Sequence, residues 1–146
     1  MKEQMAKGLA STLGGTAESR MPGSRTWGVL VDRPDGGFAA VEDWAGWAYR
    51  DRSAFDASQV EGDPVGLTDS REWGEWDGGE AWAHGLSCVL GSPEYWHSGG
   101  GIWLVFHTRQ DGRFAVIGSE SGAVYPSKAA FEADEYGLSA ETQHYV

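Results

Sequence analysis

A single cysteine, Cys88, stands in a chain of 146 residues, so no internal disulfide framework is possible. That fits a reducing compartment, and the cytoplasm is the expected location. Positive charge is also scarce: 11 basic residues face 22 acidic ones, a formal net charge of -11. Such a chain is repelled by nucleic acid and by anionic membranes, which argues against either as a direct partner and favours a basic protein. No apolar run approaches the roughly 20 residues that span a bilayer. The N-terminal MKEQMAKGLASTLGG is too polar for the apolar region of a signal peptide. What the chain does have is enough apolar (40%) and aromatic (12%) material for a core, and 22 glycines to punctuate it.

The punctuation repeats. PDGGFAAV at 34–41 returns as QDGRFAVI at 110–117, and an offset of 76 lays residues 26–58 over 102–134 without a gap. Twelve of these 33 positions are identical: Trp27/Trp103, Val29/Val105, Arg33/Arg109, Asp35/Asp111, Gly36/Gly112, Phe38/Phe114, Ala39/Ala115, Gly46/Gly122, Tyr49/Tyr125, Ala54/Ala130, Phe55/Phe131 and Ala57/Ala133. Ordinary residue frequencies give about two or three. With one residue of slippage, AKGLASTLG at 6–14 lies over AHGLSCVLG at 83–91. The chain therefore reads as an internal duplication.

Each copy reads as α-β-β-β-α. Met5, Leu9 and Leu13, then Trp82, Leu86 and Leu90, recur every fourth residue as a helical stripe that Gly14 and Gly91 stop. Segments 26–32 and 102–108, an Asp-Gly turn, then 38–41 and 114–117 form the hairpin pattern, with both Asp and Gly expected at positive φ. A third short strand follows Gly46 and Gly122, and Asp51 and Ser127 cap the closing helix. The strands are apolar on both faces, so both must be covered. The expected fold is α+β: two copies packed as a pseudo-two-fold intrachain dimer with antiparallel sheet, in a monomer or small homo-oligomer. Residues 1–60 hold the first copy, 61–79 an acidic Trp-containing connector and 80–146 the second copy. The α-β-β-β-α order is similar to that of double-stranded RNA-binding domains in topology alone. The last helix begins net acidic, SKAAFEADE at 127–135, and cannot grip phosphates.

Features shared by both copies serve folding, so function is sought where they differ. Trp27 and Trp103 match and are assigned to the core, as is Trp82. Trp44, Trp47, Trp73, Trp76 and Trp96 have no aromatic counterpart. They either plug the joint between copies or anchor a partner. The connector carries Glu61, Asp63, Asp69, Glu72, Glu75, Asp77 and Glu80 against the lone Arg71. Alone it is a solvated linker; with Trp73 and Trp76 among the charges, it is a surface for a basic partner. The expected partner-binding set is those seven acids with Trp73, Trp76 and Trp96, joined by Glu132, Asp134 and Glu135.

No catalytic set stands out. Asp35 and Asp111 occupy matching turns and serve geometry. His84 and Cys88, four apart on a helix, face Lys7 and Ser11 in the other copy, and no nearby Asp, His or Cys completes them, so they read as chance neighbours. Gly99-Gly100-Gly101 precedes a strand and lacks the context of a phosphate loop. No metal or cofactor is implied. The expected function is a non-enzymatic inhibitor that blocks a basic nucleic-acid-processing protein. Its charge and size suit the DNA-mimicking anti-CRISPR and anti-restriction proteins of phages. The alternatives are an immunity protein against a nuclease toxin, and a small-ligand or carbohydrate binder stacking on exposed indoles. Further options are an enzyme with its site at the seam between copies, and an assembly protein.

Overall fold

The computed structural model describes residues 1–19, 26–98, 100–134 and 140–145. The protein is α+β, and the described residues form four helices and two antiparallel five-stranded sheets. In the first half come α1 (Glu3–Leu13), β1 (Thr16–Glu18), β2 (Gly28–Asp32), β3 (Phe38–Val41), β4 (Ala45–Tyr49), α2 (Arg52–Glu61) and β5 (Leu67–Glu72). In the second half come α3 (Glu80–Leu90), β6 (Glu94–His97), β7 (Ile102–Thr108), β8 (Phe114–Ile117), β9 (Ser121–Tyr125), α4 (Lys128–Ala133) and β10 (Glu141–His144). One sheet runs β1-β2-β3-β4-β5 and the other β10-β9-β8-β7-β6. Pairings keep the offset of 76: Val29 opposes Val41 as Val105 opposes Ile117, and Phe38 opposes Tyr49 as Phe114 opposes Tyr125.

Each half thus has two more strands than the expected α-β-β-β-α, and the likeness to RNA-binding domains ends there. The added strands lie at sheet edges. β1 has three residues, while β5 (LTDSRE) and β10 (ETQH) are mostly exposed and polar, so they carry no apolar alternation to reveal them. Residues 61–79 are consequently no free linker, since β5 within them pairs along β4.

α1 and α3 are held between the sheets. α1 packs on β1 and β2 of one sheet and on β8, β9 and β10 of the other; α3 packs on β3, β4 and β5 and on β6 and β7. Their stripes enter the main core, where Leu9, Leu13, Trp82, Leu86, Val89 and Leu90 are at most 1% exposed. Burial of each stabilises by about 1.5–3 kcal/mol. Trp27 and Trp103, expected as core, are partly buried against its margin. On the outer face of the first sheet, Phe38 and Tyr49 meet Phe55 of α2 at ring distances of 5.2 and 5.4 Å. Phe114 and Tyr125 meet Phe131 of α4 at 5.1 and 5.2 Å on the second. Both faces are covered, as the doubly apolar strands require. Asp51 and Ser127 cap these outer helices, accepting from Ala54 N at 2.8 Å and from Ala130 N at 3.1 Å. In the hairpin turns only Gly36 and Gly112 take positive φ; Asp35 and Asp111 instead accept from Gly37 N and Arg113 N.

Contacts between halves are reciprocal. Arg33 reaches the end of α3, its Nη1 donating to Cys88 O at 3.1 Å and Val89 O at 2.7 Å. Arg109 reaches the end of α1, donating to Ser11 O at 3.0 Å and Thr12 O at 3.3 Å. Each guanidinium supplies donors to carbonyls of the last helical turn. Gly14 and Gly91 suit the left-handed backbone there (φ 74 and 67), and a Cβ would stand 2.7 Å from Arg109 Nε or 2.9 Å from Arg33 Nη2, so that the guanidinium would have to shift.

Candidate partner-binding surface

Trp73 follows β5 directly and turns inward. It is 6% exposed, its indole Nε1 donates to Asp43 O at 2.8 Å, and its ring fills a niche between Gly46 and Gly85, where an added Cβ would stand 3.0 or 2.9 Å from it. Trp76 is half-buried, donates to Ser119 O at 2.7 Å and meets the rings of Trp73 and Trp82 at 6.2 and 5.2 Å. Trp73 is thus enclosed and Trp76 partly enclosed against the main core, because burying so much apolar area outweighs presenting it to water. Trp73 also has a counterpart. Tyr145, following β10, is 1% exposed and sits against Gly8 and Gly122, and burial pushes its phenol pKa up.

The acids stay outside. Glu61, Asp63, Glu72, Glu75, Asp77 and Glu80 are exposed, and Asp69 is half-exposed and paired with Arg71 at 3.2 Å. Their elements divide them. Asp69 and Glu72 lie on β5, Glu75 and Asp77 on the turn leading into α3, and Glu80 on its first turn. Glu61 is the last residue of α2 and Asp63 follows its cap, Gly62. Glu132 is exposed on α4 and Asp134 closes that helix, on the outer layer of the second sheet. Glu135 lies outside the described residues.

One face of the protein is therefore built around α3. The helix buries Trp82, Leu86, Val89 and Leu90 and leaves Glu80, Ala81 and His84 outward, with Cys88 half-exposed in the same stripe. β5 flanks it on one side and β6 on the other. β6 returns alongside the helix and presents Glu94 and Trp96 on one face of the strand. Trp96 is 49% exposed, opposite Trp103 in the ladder at a ring distance of 6.1 Å. On the reverse face Tyr95 (47% exposed) stacks on Phe106, and Ile102 is 53% exposed. Of the expected anchors, Trp96 alone keeps an open indole. Sequence reasoning passed over Glu94, Tyr95 and Ile102, although the apolar content of YWH at 95–97, facing IWL at 102–104, was a signal of an aromatic edge.

A second opening lies on the other side of β5. Trp44, 40% exposed, meets Trp47 edge-on at 6.4 Å beside a groove of about 370 Å³ lined by Trp47, Ser70, Arg71 and Glu72. Deeper in, Glu42 is fully buried after β3, and His107 is fully buried with Nδ1 3.0 Å from Ser92 Oγ. Burial, aided by the Arg109 charge, pulls the His107 pKa down to about 4. Among the described residues no group of three or more His, Cys, Asp or Glu could hold a metal ion, and no helix is long and apolar enough to cross a membrane. No protein-family model, curated protein or solved structure matches this chain.

Proposed function

We propose that the protein is a binding protein that occupies the basic nucleic-acid groove of a partner, docking through the α3 face. The observation that carries this reading is the placement of Asp69, Glu75, Asp77, Glu80 and Glu94 around one helix, with the half-exposed Trp96 on the adjoining edge strand. Across that face Arg71 is the one basic residue on the flanking strands, and it is paired with Asp69. Acids steer a basic surface into encounter, and a rigid indole at the edge of the patch holds it. A phage counter-defence inhibitor or an immunity protein would use this chemistry equally. The scaffold is a duplicated unit packed about a pseudo-two-fold axis, a reading supported by the conserved offset of 76, the reciprocal Arg33 and Arg109 caps and the matched niches of Trp73 and Tyr145.

Capture from a host lysate at low salt, followed by displacement, tests the function. The captured protein should be a basic nucleic-acid binder that releases labelled nucleic acid when the chain is added, and Trp96→Ala should weaken the displacement. A captured partner that keeps its nucleic acid bound rejects the inhibitor reading. The Trp44 and Trp47 groove favours a second reading, a site where a sugar ring stacks on indole, tested by saturable quenching of tryptophan fluorescence that Trp44→Ala abolishes.

A further inference from the structure

The one thiol of the chain stands in a setting that its sequence neighbours conceal. α3 sets His84 and Cys88 one turn apart, with His84 Nε2 4.0 Å from Cys88 Sγ. β6 brings a carboxylate to the other ring nitrogen, Glu94 Oε1 lying 3.7 Å from Nδ1. Thiol, imidazole and carboxylate are thus ordered as a nucleophile, a base and the group that orients the base. Glu94 is the member that a search for Asp, His or Cys missed, because it comes from the next strand.

Two further observations point the same way. The first half holds Lys7, Ser11 and Ala17 in these places, Ala17 opposing Val29 as Glu94 opposes Val105. All three differ together, while the helix, its glycine cap and the capping arginine are kept, so the fold does not demand the trio. The second concerns the helix end. Cys88 lies in the last turn, where the helix dipole opposes a thiolate. Arg33 sets its guanidinium on the carbonyls of Cys88 itself and of Val89, supplying positive charge where the dipole is negative. Cys88 also borders an open groove of about 330 Å³ whose lining includes Arg50, Tyr49, Asp35 and Asp69. Charges of both signs suit a zwitterionic molecule.

We propose that Cys88, His84 and Glu94 form a thiol–disulfide exchange site that accepts a small zwitterionic disulfide. Cys88 S–H gives its proton to His84 Nε2, and Glu94 faces the imidazolium at Nδ1. The Cys88 sulfur then attacks one sulfur of the disulfide, a new S–S bond forms and the old one breaks. The departing thiolate takes the proton from His84, so the incoming disulfide is the oxidant and half of it leaves reduced. With no second cysteine to resolve it, the mixed disulfide persists until an external thiol reverses the step. This site does not rest on the docking reading, although it shares Glu94 with that face and the adduct would stand on it.

Oxidised glutathione is the charged probe and bis(2-hydroxyethyl) disulfide the uncharged one, with adduct formation at neutral pH followed by mass spectrometry. The same chain unfolded in urea provides the free-thiol reference. The folded chain should react with oxidised glutathione at least about fivefold faster than the reference. His84→Gln and Glu94→Gln should return it to the reference rate with circular dichroism unchanged, both side chains being solvent-accessible (59% and 33%). The rate of the wild type should also fall less steeply on acidification than that of His84→Gln. Arg50→Ala should remove the preference for the charged probe. A folded chain no faster than the unfolded one, or a His84→Gln variant with the wild-type rate and pH profile, overturns the site. Equal rates with both probes overturn the zwitterionic ligand.

Discussion

Replacing Trp73 with alanine distinguishes a structural plug from a docking anchor. The indole is 6% exposed, fills the niche between Gly46 and Gly85 and donates to Asp43 O at 2.8 Å. Truncating a buried tryptophan costs about 3–5 kcal/mol, because both the transfer energy and the cavity count. The loss of the indole donor adds about 1 kcal/mol. A total near 5 kcal/mol corresponds to a fall of roughly 10–20 °C in Tm for a chain of this size. Trp96→Ala is the control: that indole is 49% exposed, and its removal should cost less than about 1 kcal/mol. Urea titration followed by far-ultraviolet circular dichroism measures both. A Trp73→Ala variant with a wild-type midpoint that nevertheless loses a partner would refute the burial argument and restore Trp73 as an anchor.

Other expectations follow from the seam and its buried groups. Arg33→Ala and Arg109→Ala should each destabilise by about 2 kcal/mol, since each loses charged donors to two helix-terminal carbonyls; an effect of one without the other would contradict the reciprocal arrangement. For His107 the sign is set by burial: the unfolded chain takes its proton near pH 6.5 and the folded chain only near 4. Stability from this residue is therefore intact above pH 6.5 and falls as pH drops to 4, by about 3 kcal/mol in all. His107→Val, which copies Val31 in the matching register, should flatten that slope in urea titrations across the window, and an unchanged slope would refute the assignment. Asp35 is separable, since its bond from Arg33 holds its pKa down to about 2 and its contribution is lost only at lower pH.

Much of the fold was legible where local chemistry decides it. Gly14 and Gly91, Asp51 and Ser127, and the doubly apolar β2 and β7 all occupy the places their types predict. Edge strands were not legible, because LTDSRE and ETQH have one partner strand and no buried face to impose alternation. Missing them hid the pairing of Trp73 with Tyr145, which are 72 positions apart where the sheets keep 76, so an aligned repeat never sets them side by side. The site was less legible still. Acidic residues and tryptophans close in sequence suggested one surface, but the sheet turned Trp73 inward while leaving Glu72 out, as strand alternation requires. The approach of Glu94 to His84 depends on β6 returning beside α3, which no local pattern encodes.

The docking face is tested most directly by the association rate with the captured basic partner, measured from about 0.05 to 0.5 M salt. The account predicts a fall of at least about tenfold across that range. Changing Glu75, Asp77 and Glu80 together to lysine should flatten the dependence, and Trp96→Ala should act mainly on the dissociation rate. An association rate indifferent to salt, or unchanged in the triple variant, would contradict it.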